Sequence, residues 1–146
     1  MIFSRKALLA AAAMTLTAPA SAAHHEKACD RQCLIDLSDD YVAALVAHDA
    51  SAVPLAEDVV MVENLAPIAP GEGLWASLGG APGDYVIHVP DPVSQQVGIM
   101  LVAPGTDGEP VMFGIRLRLA DGRITEAEHI VGNALGEGQT ANLQAP

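Results

Sequence analysis

VMFGIRLRLADGRITEAEHIV, residues 111–131, is the stretch whose reading decides the fold. Two runs of alternating apolar residues flank Asp121-Gly122. That dipeptide is a preferred centre of a two-residue hairpin, because both of its positions tolerate positive φ. Side chains alternate between faces along a strand, so the turn sets the register on both sides of it. Ala120 then faces Arg123, Leu119 faces Ile124, Leu117 faces Glu126, Ile115 faces Glu128 and Phe113 faces Ile130. One face collects Phe113, Ile115, Leu117, Leu119, Ile124 and Ile130, and with them two acids, Glu126 and Glu128. The other collects Arg116, Arg118, Arg123, Thr125 and His129. The apolar face must be covered by helices, so two carboxylates are expected on the dry side. A bulge that slips the register would instead return both acids to solvent beside Arg116 or Arg118.

Outward from this hairpin, 85–89 and 96–102 read as further strands, with turn-rich breaks at 90–92 and 104–108. Upstream the pattern changes period. Leu34, Leu37, Tyr41, Val42, Leu45 and Val46 recur in steps of three and four, the signature of an amphipathic helix over 30–48. Residues 50–58 read as a short second helical piece leading into a strand at 59–62, and 73–78 as one helical turn around Trp75. Helices followed by antiparallel strands make an α+β domain: a curved antiparallel sheet packed on one face against two to three N-terminal helices.

The chain begins as an exported protein does. Arg5 and Lys6, an apolar run from Ala7 to Leu16, and Ala20-Ser21-Ala22 make the three parts of a cleavable signal peptide over 1–22. The apolar run is shorter than the roughly 20 residues that span a bilayer. The domain is expected over 23–132 and a flexible tail over 133–146, in a periplasmic or secreted protein. Without the leader, five basic residues face 18 acidic ones. That balance argues against nucleic acid and against anionic membrane surfaces, both of which reward positive charge. Cys29 and Cys33 are the only cysteines. In an exported chain they are expected to form a disulfide, with free thiols or an intermolecular bridge as the alternatives. Cleavage after Ala22 would expose Ala23-His24-His25, a terminus able to chelate copper or nickel. No phosphate loop, nucleophile elbow or zinc signature is present, and no cofactor is expected.

The order of elements, together with Cys29-Asp30-Arg31-Gln32-Cys33-Leu34, Glu63-Asn64, Gly71-Glu72-Gly73-Leu74-Trp75, Arg116-Leu117-Arg118 and the 122–128 run, resembles the nuclear transport factor 2-like superfamily. More narrowly it is similar to exported SnoaL-like proteins. The resemblance spans about 29–132. It implies a cone-shaped sheet, a cone-shaped pocket within it for a small apolar molecule, and a homodimer, since dimers are frequent among similar folds. A buried carboxyl beside a like charge has a raised pKa, which suits acid–base chemistry near neutral pH. Glu126, Glu63 and Glu128 are therefore the expected catalytic acids of an isomerase, cyclase or lyase/dehydratase. Glu63 continues the Val59, Met61 alternation. Asn64, Trp75, His88 and Arg116 are expected to bind substrate, Trp75 as a lid. Asn64 reads equally as a turn residue, Trp75 as core, and His88 as solvent-facing. The alternative function is a non-catalytic ligand-binding or dimerisation module of the same fold.

Overall fold

The structure is a computed structural model, and it describes residues 28–132. The signal peptide, His24, His25 and the tail over 133–146 lie outside the described residues. Helix α1, Arg31–Val46, starts where Asp30 accepts a hydrogen bond from the Cys33 amide at 3.0 Å. An aspartate in that position satisfies one of the free N–H groups of the first turn. Leu34, Tyr41, Val42 and Leu45 are buried along one face of the helix. Cys29 and Cys33 form an intrachain disulfide at the same end, with Cα atoms 5.3 Å apart. Gln95 fastens that end to the sheet. Its Oε1 accepts from the Cys29 amide at 2.8 Å, and its Nε2 donates to the Cys29 carbonyl at 2.9 Å.

The expected helical piece after α1 is shorter than its sequence suggested. One 3-10 turn, Ala50–Ala52, ends at Val53, and strand β1 already begins at Leu55 and runs Leu55–Glu63. Pro54 accounts for the early stop, because the residue before a proline is driven to extended backbone. A tight turn at Asn64 and Leu65, both with positive φ, leads to β2, Ala66–Pro67. Helix α2, Leu74–Ser77, is the single turn expected around Trp75. Strands β3 (Val86–Asp91), β4 (Gln96–Pro104), β5 (Pro110–Ala120) and β6 (Arg123–Val131) follow.

The six strands form one sheet in the order β2-β1-β6-β5-β4-β3. The sheet is mixed rather than wholly antiparallel, because β1 pairs with β6 in parallel. The long excursion through α2, β3, β4 and β5 returns the chain beside β1 in the same direction. Side chains of α1 and α2 fill the inner face, with Tyr41, Trp75 and Phe113 the largest fully buried groups.

The Asp121-Gly122 hairpin forms, with Ala120 opposite Arg123 and Leu119 opposite Ile124. The expected register fails one residue later. Arg118 pairs with Glu126, Leu117 with Ala127, Arg116 with Glu128 and Ile115 with His129. Thr125 is the extra residue of a β-bulge, and one extra residue exchanges the two faces of everything beyond it. Glu126 and Glu128 therefore lie on the outer face, and His129 is the residue that enters the dry side.

Candidate functional site

Two polar constellations occupy the helix side of the sheet. The deeper one joins β1, β6 and α1. His129 is 1% exposed. Its Nε2 lies 2.9 Å from the Tyr41 hydroxyl, and its Nδ1 lies 3.4 Å from Glu63 Oε2. The Glu63 carboxylate accepts, so the consistent tautomer carries its proton on Nδ1 and receives the Tyr41 O–H at Nε2. Glu63 Oε2 also accepts from the Leu74 amide at 2.7 Å, which fixes the start of α2. Gly73 passes this carboxylate with φ +62°, and a Cβ there would meet Glu63 Oε2 at 2.5 Å. Glycine is the residue that both the backbone conformation and the close approach admit.

Trp75 packs edge-to-face on Tyr41, ring centroids 5.3 Å apart. It is 1% exposed, and its carbonyl accepts from His48 Nδ1. This side chain is core rather than a lid. Its indole N–H lies near enough to the Tyr41 oxygen to favour the ionised phenol, yet forms no hydrogen bond among the described residues.

Burial lowers the His129 pKa from its ordinary 6.5, with Glu63 opposing the shift. Burial raises the Tyr41 pKa from its ordinary 10.0, with Trp75 opposing and the Glu63 charge adding to it. Below pH 6.5 the unfolded chain therefore binds a proton at His129 more readily than the folded one. Stability is expected to fall as pH drops from 6.5 toward the folded value. Above pH 10 the unfolded chain loses the Tyr41 proton first, so stability falls there as pH rises. Thermal unfolding across pH 5 to 8 checks the acid limb. Wild type should lose more Tm below 6.5 than a His129→Gln variant does, and equal profiles would contradict a buried neutral imidazole.

The second constellation is more accessible. His88, on β3, faces the helix rather than solvent, and its Nε2 lies 2.7 Å from Asp39 Oδ1 on α1. Asp39 lines a cavity of about 350 Å³ between α1 and strands β3 and β4. Val42, Val46, Pro82, Val86, Ile99 and Leu101 supply apolar walls. Val86 precedes His88 by two residues on the same face, and Ile99 is its cross-strand partner. The imidazole thus sits one step along the sheet from the cavity wall. Its Nδ1 makes no hydrogen bond among the described residues.

The remaining expected site residues lie elsewhere. On the outer face, Arg116 donates from Nε to Glu128 at 2.9 Å, from NH2 to Glu126 at 2.8 Å and from NH1 to Gln96 at 2.7 Å. Arg118 reaches Glu126 at 3.0 Å. Hydrogen bonds from Arg116 hold both glutamates below the usual carboxylate range, with Arg118 adding to the effect on Glu126. These pairs are solvent-screened and contribute about 0–1 kcal/mol each. The argument for a raised acid in a dry pocket does not apply to them. Asn64 hydrogen-bonds both ways with the Val131 backbone, at 2.9 and 3.2 Å, which makes it a turn residue that extends the β1–β6 ladder. Asp39, Tyr41 and His129 were not anticipated as site residues. Among the described residues, no group of three or more His, Cys, Asp or Glu side chains could hold a metal ion.

No protein-family model and no curated protein matches the sequence. Solved structures do match the fold. A protein from Xanthomonas campestris pv. campestris, provisionally named a polyketide cyclase, has a TM-score of 0.55 and 21% identity, over 75% of this chain and 98% of that one. An NTF2-like protein of unknown function from Cytophaga hutchinsonii ATCC 33406 has a TM-score of 0.50 and 13% identity, over 68% and 89%. A de novo designed protein with a curved β-sheet also matches, with a TM-score of 0.54 and 14% identity, over 80% and 98%. Identities this low speak to fold and leave activity to the site. The α+β curved sheet, its helices on one face and these structural neighbours agree: the chain has the nuclear transport factor 2-like fold.

Proposed function

We propose that this protein is a small-molecule acid–base enzyme whose reaction centre is the Asp39–His88 pair at the mouth of the apolar cavity. The observation that carries the reading is the 2.7 Å carboxylate–imidazole contact beside a cavity of about 350 Å³. That volume lies within the usual range for small-ligand sites, and such sites are mostly apolar with few polar groups. Asp39 accepts the Nε2 proton of His88, orients the ring, and leaves Nδ1 as the basic nitrogen. An apolar ketone in the cavity would surrender an α-proton to Nδ1, and the Asp39 carboxylate would stabilise the resulting imidazolium. Return of that proton to a different carbon completes an isomerisation. Delivery of that proton to a β-hydroxyl, whose C–O bond breaks as the enolate forms the new double bond and which leaves as water, completes a dehydration. Neither step moves electrons to or from an external partner. The polyketide-cyclase name of a structural neighbour supports the same class of substrate.

Glu63 stands outside this centre, since its carboxylate serves Leu74 and His129. The Cys29–Cys33 disulfide supports the exported reading, because oxidising compartments preserve such bonds. The test is solvent-deuterium exchange into a panel of lipophilic ketones, followed by NMR, with binding read by thermal shift. His88→Gln is expected to lower exchange by about 10²–10⁴-fold while the ligand still binds. Exchange that is equal in wild type and variant would remove His88 from the chemistry. Binding without exchange in the wild type would instead favour a carrier, the reading that the outward, arginine-paired Glu126 and Glu128 support.

A further inference from the structure

The cavity beside Asp39 and His88 is one-sided in its chemistry. Val42, Val46, Val86, Ile99 and Leu101 make its body apolar, and Asp39 is the one polar side chain among its lining residues. That carboxylate is only half committed. Oδ1 lies against His88 Nε2 at 2.7 Å, whereas Oδ2 forms no hydrogen bond among the described residues. The Asp39 side chain is 56% exposed, so the carboxylate meets solvent at the cavity mouth.

The charge around the mouth has one sign. Asp36 stands one turn before Asp39 on α1, a spacing that makes their side chains neighbours. Asp40 follows Asp39, and Asp84 lies two residues past Pro82 of the cavity wall. All three are exposed. Among the described residues the basic side chains are Arg31, Arg116, Arg118 and Arg123. Arg116 and Arg118 are paired with glutamates on the outer face, and Arg123 donates to the Leu55 carbonyl at 3.3 Å. Arg31 precedes Asp39 by a little over two turns of α1, about 12 Å along its axis, where salt screens its charge. The whole chain carries a formal charge of −11. An anionic ligand would approach against this field and find no cation to receive it, whereas a cation is drawn in.

The proposed reaction leaves a gap of the same sign. Loss of an α-proton builds negative charge on the ketone oxygen, and enzymes commonly meet such charge with hydrogen-bond donors. No side chain lining this cavity is a donor. A substrate that carries its own positive charge near the carbonyl supplies the compensation itself.

We infer that the cavity selects a cationic amphiphile, with an apolar body between α1 and the sheet and an ammonium group on Asp39 Oδ2. The inference rests on the cavity of the acid–base reading, and on that reading the substrate is an amine-bearing ketone. An ammonium N–H donating to a carboxylate is a charge-assisted hydrogen bond, roughly twice as strong as a neutral one.

Three ligands that share a cyclohexylmethyl body test it. Cyclohexylacetone is neutral, N,N-dimethylcyclohexylmethylamine is cationic at neutral pH, and cyclohexylacetate is anionic. In NMR titrations the amine is expected to bind about tenfold or more tighter than the ketone, and the carboxylate about tenfold or more weaker. Asp39→Asn should weaken the amine about tenfold and the ketone less than about twofold, the ketone serving as the check that the cavity is intact. Asp36→Asn and Asp84→Asn should leave the order of the three ligands unchanged. Deuterium exchange into cyclohexylacetone reads the reaction separately. A ketone that exchanges, with an amine that binds no better, overturns the inference and leaves the reaction standing. A preferred amine with no exchange in the ketone does the reverse. A preference that survives Asp39→Asn overturns the seat on Oδ2. If none of the three binds, the cavity is not a ligand site and both readings fall.

Discussion

Replacing His129 by leucine is expected to destabilise the fold by about 2–4 kcal/mol, because the imidazole is the shared partner of two other polar groups. Its loss leaves the Tyr41 hydroxyl buried with nothing to donate to, while Glu63, partly exposed, recovers some of its loss from water. For a domain of this size each kcal/mol lowers Tm by about 4–8 °C, so the drop should be plain in any unfolding scan. The informative comparison is the double variant. Tyr41→Phe alone strands the ring nitrogen, and His129→Leu alone strands the phenol. Removing both leaves no orphan, so the double variant should be more stable than the sum of the singles implies. Strict additivity would show that the 2.9 Å contact does not couple them.

Trp75→Ala carries the other large effect, about 3–5 kcal/mol, from deletion of the largest buried side chain. The indole holds α2 against Tyr41, and no neighbouring backbone is free to collapse into the space. Glu63 pins one side of that turn through Leu74, and His48 pins the other through the Trp75 carbonyl. Trp75→Phe separates volume from polarity. It keeps most of the packing and deletes an N–H that has no hydrogen-bond partner among the described residues, so its cost should be less than half that of alanine. Since Trp75 is the sole tryptophan, unfolding of the parent is read directly from its emission. A Trp75→Ala variant as stable as the parent would mean that the ring is not part of the core.

The helix over 31–46 was legible because its apolar residues recur in steps of three and four, and the hairpin because Asp-Gly is so restrictive a turn. The β1 pairing was not. Nothing local distinguishes a strand that pairs with its neighbour in sequence from one that waits for the last strand and joins it in parallel. The bulge, which returns both acids to solvent beside Arg116 and Arg118, stood as the alternative to the straight register because Thr125 is an ordinary strand residue. Yet the energetic anomaly was visible. A straight register placed two carboxylates on an apolar face and put His129 beside three arginines. One extra residue relieves both conflicts, and such a conflict between pattern and register is itself the sign of a bulge. Tyr41 held a second hint. A buried phenol needs a partner for its hydroxyl, and in the shifted register His129 supplies it. His88 was legible as a strand residue opposite in parity to Ile87 and Val89. Its contact with Asp39 depends on how α1 crosses the sheet, which composition does not encode.

The parallel union of β1 with β6 also dictates when the protein can become itself. Asn64 and Val131 are 67 residues apart along the chain, yet exchange hydrogen bonds. As the polypeptide emerges from the ribosome, α1 and β1 are complete long before the strand that must lie beside them exists. The meander of β3, β4 and β5 assembles from near neighbours, whereas closure waits for the distant join, the slow class of contact. A chain truncated before β6 would leave β1 and β2 without their neighbour and the inner face of β5 open along its edge. A newly made chain therefore cannot close its sheet until nearly all of it has appeared. That delay invites a holding chaperone, and it leaves time for a polypeptide to be threaded elsewhere before it folds.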